Sequence, residues 1–230
     1  MWFILLILLK KQDDRNYEEY LYRFNSEERT KIILICSLID SNIVINKYHH
    51  IINQIKEKHR KQDIYNKKTR YNLDKTETNP EVRKRIYLIL HLIFTNLEKL
   101  GYKVDYSDGL QAIILGEKIN FRIREKNNVV YVDDNSDFAL TYGNGKRREL
   151  EPNGLLELSI IRHYDNDNRV WISPKKEVWT DSKTKKLEDF IGDFIIELIY
   201  CACKKVDDKK QRIEEEIKQR VEEEIRQAKK

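Results

Sequence analysis

The sequence predicts an α+β fold: N-terminal helices and a helix over residues 80–100 packed on a small antiparallel sheet at about residues 102–178. A long C-terminal helix then extends into a charged tail. Four observations point there. Asn79-Pro80-Glu81 opens a helix with a capping side chain, a proline at the first helical position and an acid in the first turn. Ile86, Ile89, Leu90, Ile93, Leu97 and Leu100 keep helical spacing until Gly101, a natural left-handed stop. Ile119, Phe121 and Ile123 alternate with Asn120, Arg122 and Arg124, the period of a half-buried strand. Finally, Leu187, Ile191, Phe194, Leu198 and Cys201 form one helical face, widened by Phe190, Ile195 and Ile199.

Taken in order, residues 14–24 are polar, rich in Tyr (Tyr17, Tyr20, Tyr22) and read as helical. Asn25-Ser26-Glu27-Glu28 starts a helix, because either short polar side chain can cap the free amides and two acids sit where the dipole favours them. Ile32, Ile33, Ile35, Cys36 and Ile39 carry that helix to a stop near Asp40-Ser41-Asn42. Residues 45–58 form a second helical segment through Tyr48, Ile51, Ile52 and Ile55. Between residues 57 and 78 apolar positions thin out and cations crowd in, the composition of a linker or exposed loop.

Strands follow the third helix. Residues 102–106 lead into the turn Ser107-Asp108-Gly109, and residues 110–115 into Gly116-Glu117. Residues 129–132 continue or pair with the alternating strand. Residues 133–153, polar around Gly143-Asn144-Gly145, read as a long excursion. Leu156, Leu158 and Ile160 alternate again, residues 165–168 turn, and residues 170–172 return. Trp179-Thr180-Asp181-Ser182 hands the chain to the last helix, with Thr180, Asp181 or Ser182 as its cap. The chain divides accordingly into an apolar and Tyr-rich segment (1–24), a helical region with a basic linker (25–78), an α+β core (79–204) and a charged helical tail (205–230).

Composition narrows the function classes. Charged residues make up 36% and hydrophobic ones 40%, against about 25% and about 45–50% in ordinary domains, so the excess charge belongs on helical faces and the tail. A net charge of +5 permits nucleic-acid contact without demanding it. Three cysteines, an odd number, argue against a disulfide framework and for a reducing compartment, so the expected location is cytoplasmic. Residues 1–9 are apolar, yet a bilayer span needs about 20 residues. No basic region precedes them and no small-residue cleavage site follows. A segment docking on the core, a membrane-surface anchor and the stub of a truncated chain remain three open readings.

No phosphate-binding, dinucleotide-binding, nucleophile-elbow or C-x-x-C motif occurs. Cys201 and Cys203, two apart on a helix, face different directions and are poor co-ligands. His49-His50 lacks the i, i+4 spacing of a helical metal site. Neither a metal nor a cofactor is expected. A metal-dependent nuclease would need an acid before a strand, plus an acid and a lysine two residues apart on the next, so that both share one face. Asp105 or Asp108 precedes an apolar strand and Glu117 follows it, but Lys118 adjoins Glu117 and points the other way. Asp108 and Glu117 are the catalytic candidates of that alternative. Asp181 and Lys183 have the right separation, but capping accounts for Asp181.

The basic stretch is more suggestive. Lys56, Lys58, Arg60, Lys61, Lys67, Lys68 and Arg70, interleaved with Tyr65 and Tyr71, are the residue types that neutralise phosphates and stack on bases. The blander reading is a solvated linker. Arg122, Arg124 and Lys126 could extend the patch, or simply form a solvated sheet face. In the tail, Val206, Ile213, Ile217, Val221 and Ile225 make a thin stripe among pairs such as Glu214–Lys218 and Glu222–Arg226. A protruding, mostly monomeric helix is expected, open to a protein partner.

The stretches Gly101-Tyr-Lys-Val, Gly116-Glu-Lys-Ile-Asn-Phe-Arg-Ile-Arg-Glu-Lys, Trp179-Thr-Asp-Ser-Lys and Leu187-Glu-Asp-Phe-Ile resemble a group of uncharacterised bacterial proteins of accessory or mobile genome regions. The likeness covers residues 24–204, including Asn25-Ser-Glu-Glu-Arg and Asn79-Pro-Glu-Val-Arg. In that group a similar region follows a segment resembling a helix-turn-helix, which is not readable here before Phe24. The resemblance implies no site residues. The expected function is a non-enzymatic accessory or regulatory domain whose partner is DNA or RNA. The alternatives are a metal-dependent nuclease of mobile-element or defence context and a protein-interaction module working through the C-terminal helix.

Overall fold

Asn25 decides where the first helix begins. Its side chain accepts the Glu28 amide at 2.9 Å, and the Glu28 carboxylate accepts the Asn25 amide at 3.0 Å. This reciprocal box satisfies two donors that a helix start leaves open. Helix α1 follows as Ser26–Ser37. The structure, a computed structural model, describes residues 17–40, 44–69, 80–133, 145–161, 164–165, 170–171 and 174–229. Its further helices are α2 (His50–Thr69), α3 (Pro80–Lys99) and α4 (Ile191–Ala228), the last entered through a 3-10 turn at Leu187–Phe190. α3 ends as its sequence predicts. Gly101 takes a φ of +85°, its N–H donates to the Glu98 carbonyl at 2.9 Å, and the Tyr102 N–H donates to the Leu97 carbonyl at 3.0 Å.

The strands are β1 (Lys103–Asp105), β2 (Leu110–Ile114), β3 (Glu117–Asp133), β4 (Lys146–Ile160), β5 (Tyr164–Asp165), β6 (Val170–Trp171) and β7 (Val178–Thr180). Five of them form one antiparallel sheet in the order β1-β2-β3-β4-β7, while β5 and β6 pair separately. The inner face of the sheet packs on α3 and α4. Phe121 stands edge-on to Phe94 at 6.4 Å and to Phe194 at 5.4 Å, and Trp179 meets Phe194 at 5.1 Å, separations at which aromatic pairs add to simple burial. Ile32 and Cys36 of α1 and Ile51, Ile52 and Ile55 of α2 join the same buried cluster. α1 crosses α4 so closely that a Cβ on Gly192 would lie 2.5 Å from the Cys36 carbonyl oxygen.

Four elements differ from the sequence reading. Of the segment read as helical over residues 14–24, the described residues 17–24 form turns. The stretch expected to be a linker or loop is helical to Thr69, with little apolar support. Glu57 instead ties Arg60 and Lys61 along the helix, and Asp63 receives Arg83 of α3 at 2.6 and 2.9 Å. The polar excursion begins as the outer end of β3 and ends as the start of β4, which pair from Asn127↔Pro152 to Asp133↔Lys146. Residues 134–144 between them lie outside the described residues. The last helix starts later than Ser182, because Ser182 Oγ accepts the Lys185 amide at 2.9 Å and holds residues 182–185 in a turn.

Asp181 serves as a clamp in place of a cap. Its buried carboxylate accepts the amides of Leu156 and Leu187, both at 2.8 Å, and two bonds from Arg85 of α3 at 2.6 and 2.7 Å. Arg85 also binds Glu188. One cation thus joins α3, β4, β7 and the entry to α4. α4 then runs unbroken from the core into the tail. Its first exposed turns remain tied, since Asp207 bonds Tyr22 and Arg23, and Lys209 lies 3.5 Å from Glu117. Beyond these, Ile213, Ile217, Val221 and Ile225 are 44–56% exposed. Among the described residues no helix is long and apolar enough to cross a membrane.

Candidate nucleic-acid interface

α2 carries six Lys or Arg against two acids, but the structure does not leave all of them to solvent. Lys56 turns inward, its ammonium 3.6 Å from the ring centre of Tyr48 and 5.2 Å from that of Tyr87. Desolvation there lowers its pKa, so Lys56 serves packing before binding. Arg60 is held by Glu57 through two 2.8 Å bonds, and Lys61 lies 3.8 Å from the same carboxylate. Both cations remain more than 60% exposed. Lys58 is exposed and reaches the Tyr106 ring at 5.3 Å. Tyr65 is 61% exposed further along the same helix. Lys67 and Lys68 occupy the last turn of α2, with side chains beyond the described ones. Arg70 and Tyr71 lie outside the described residues.

Tyr106 connects α2 to the sheet. It lines a cleft of about 530 Å³ together with Ile55 and His59 of α2, Ile86 and Leu90 of α3, the turn before β2, and Asn120 to Glu125 with Asn127 of β3. Arg122 and Arg124 belong to the outer face of the sheet. Arg122 Nε donates to Ser159 Oγ at 3.2 Å, and Arg124 binds Glu157 at 2.8 Å while remaining 54% exposed. Lys118 is exposed on the same face of β3. Lys58 and Arg122, more than sixty positions apart in sequence, are therefore brought to one region of surface. Among the described residues Arg122 has no carboxylate partner. The carboxylates that line the cleft are Asp108 and Glu125, and Glu125 accepts the Gly154 amide at 2.7 Å.

The two nuclease candidates are not brought together. Asp108 stands in the turn before β2, and Glu117 pairs with Ile114 at the far end of that strand. Four residue steps of strand separate the two ends, at least ~13 Å, too far to share one metal ion. Glu117 is occupied besides, 3.4 Å from Lys205 and 3.5 Å from Lys209. The cysteines are buried, and burial pushes the thiols up, to about 12 for Cys36 and about 11 for Cys203. Such thiols are poor nucleophiles.

Among the described residues one cluster has ligand-like spacing: ring nitrogens of His49 and His50 and a carboxylate oxygen of Glu98 lie within 4.8 Å of one another. The hydrogen bonds favour another role. His49 Nδ1 faces the Ile51 N–H at 3.3 Å, which sets the ring proton on Nε2, 2.9 Å from Glu98 Oε1. A metal ion on Nε2 would force that proton to Nδ1, against an amide donor. The His49 amide in turn donates to His91 Nδ1 at 3.1 Å. We read the cluster as the joint between the start of α2 and the end of α3. Compared with known proteins, the chain matches no family model, no curated protein and no solved structure at a significant level.

Proposed function

We propose that this chain is a non-enzymatic accessory domain that associates with nucleic acid through the solvent face of α2 and the adjoining outer edge of β3. The observation that carries the reading is that Lys58 lies against Tyr106, which lines one cleft with Arg122 and Arg124, while Arg60, Lys61 and Tyr65 follow Lys58 along α2. These cations contact phosphates, and the tyrosines offer faces for unstacked bases. Binding is weak, because Glu57 and Glu157 neutralise part of the row. The resemblance to accessory-region proteins that carry a DNA-reading segment agrees with a supporting role in a longer assembly.

Anisotropy of a fluorescein-labelled 20-nucleotide single strand across a salt series tests the proposal. Three or four phosphate contacts give a slope of about −2 to −3 in log affinity against log salt. Changing Lys58, Arg60, Lys61, Lys67 and Lys68 to Glu should abolish binding, with the fold verified by circular dichroism. Unchanged affinity in that variant would return the segment to a solvated helix face. A second reading, a protein-interaction module, is favoured by the exposed stripe from Ile213 to Ile225.

A further inference from the structure

β2 is much shorter than the strand it pairs with. It runs beside β3 only from Glu117 to Phe121, whereas β4 covers β3 on the other side out to Asp133. Beyond Phe121, no described strand pairs with β3 on the β2 side. Strand alternation fixes which groups face that open lane. The Asn120 carbonyl accepts the Ile161 N–H at 2.9 Å, so Asn120, Arg122 and Arg124 direct their backbone groups to β4. Phe121, Ile123 and Glu125 direct theirs to the β2 side. Pro152, which cannot donate, stands opposite Asn127, on the parity where the ladder loses nothing by its missing N–H.

The cleft described above lies along this lane. Ile55, Ile86 and Leu90 from the helices, with Phe121 and Ile123 from β3, line it. Its volume is that of a ligand site. A strand laid in the lane would send alternate side chains to opposite faces. Those opposite Ile123 enter the apolar lining. Those opposite Arg122 and Arg124 emerge on the outer face, beside two guanidiniums, the first without a carboxylate partner among the described residues. Cations on an open edge also discourage indiscriminate pairing, but that purpose leaves the apolar lining unexplained.

We propose that the cleft binds an extended peptide of a partner protein as an added strand on β3, with apolar residues alternating with acidic ones. Main-chain bonds to Ile123 and Glu125 hold the peptide, and the apolar lining and the arginines select its sequence. This goes beyond the nucleic-acid reading and does not depend on the α2 cations.

The test uses the full chain and a labelled nonapeptide alternating Val and Glu. Controls are the same composition in two blocks and the alternating peptide N-methylated at every second residue. In the free chain the amides of Ile123 and Glu125 should exchange rapidly with solvent while those of Arg122 and Arg124 exchange slowly. The alternating peptide should slow the first pair at least tenfold, and N-methylation should weaken binding at least tenfold. Arg122→Glu should weaken the Val/Glu peptide and favour a Val/Lys peptide, while the five α2 charge reversals leave peptide binding within about threefold. Equal binding of all three peptides overturns the proposal. So does protection of these amides by the 20-nucleotide strand but not by the peptide. Protection already complete in the free chain would show the lane filled by the chain itself, or by a second copy if it rises with concentration, and either result overturns it.

Discussion

Replacing Arg85 with Met removes the one side chain that joins α3 to Asp181 and Glu188. The Asp181 side chain is 0% exposed and that of Arg85 23%, so the pair is buried on one side and reached by water on the other. Breaking a buried pair by deleting one partner costs about 3–5 kcal/mol, mostly for the charge left behind. Asp181 would keep its bonds from Leu156 and Leu187, which places the expected loss near the low end, about 3 kcal/mol. For a chain of this size that corresponds to a fall in Tm of about 6–12 °C. Arg124→Met is the control, since Arg124 is 54% exposed and meets a single oxygen of Glu157; it should cost under about 1 kcal/mol. Urea unfolding followed by tryptophan fluorescence reads both, through the buried Trp179. Burial alone would raise the Asp181 pKa, but Arg85 and the two amides outweigh it and hold the carboxyl below its ordinary value. A depressed carboxyl contributes stability above its unfolded pKa, near about 3.9, and loses it as pH falls through the folded value. The cost of Arg85→Met should therefore shrink as pH falls through that value. Equal losses for the two variants would refute the clamp.

Gly192→Ala should destabilise the chain in thermal melts. The added Cβ meets a backbone oxygen at 2.5 Å, an overpacking cost of about 1–3 kcal/mol that exceeds the roughly 0.5–1 kcal/mol gained in helix propensity; a rise in Tm would show that α1 and α4 can separate freely. His59 bonds Tyr87 Oη at 2.8 Å, and its pKa is lowered by burial and then by Arg83, with Asp63 opposing and Lys58 adding slightly. The unfolded chain protonates first, so stability should decline as pH drops below about 6.5 and level off below the folded value. His59→Gln should shrink that slope in urea titrations, and an identical slope would exonerate the residue. Deleting residues 214–230 should change stability by less than about 1 kcal/mol and leave the chain monomeric in light scattering, whereas deletion from Val206 also severs the Asp207 and Lys209 contacts and should cost more. A dimer lost on the shorter deletion would assign the aliphatic stripe to self-association.

Much of the fold was legible because local signals agreed with the packing. Asn25 and Glu28 form the box their spacing allows, Gly101 stops α3, and Ile119, Phe121 and Ile123 face the helices. The outer half of α2 was not legible, because Ile64 and Tyr65 are exposed and give no apolar period. Glu57 and the long-range Asp63–Arg83 pair hold it instead. The β3–β4 ribbon was hidden for a similar reason: Val129, Tyr131 and Leu150 project into solvent, so neither face alternates cleanly. Of the candidate surface, the α2 cations stood out as a run. Their loss to Glu57 and to the Tyr48 ring did not, since partners three residues away or on another segment look alike before folding. The cleft itself follows from β2 being shorter than β3, a mismatch that only the register reveals.

The proposed nucleic-acid surface on α2 and the edge of β3 is tested most directly by a residue-resolved NMR titration of the labelled chain with the 20-nucleotide strand at low salt. Amides of residues 56–65 and 120–124 should shift together and return on adding salt, while those of residues 213–228 stay in place. Shifts confined to the tail or to the β3–β4 ribbon, or none at oligonucleotide concentrations that saturate anisotropy, would contradict it.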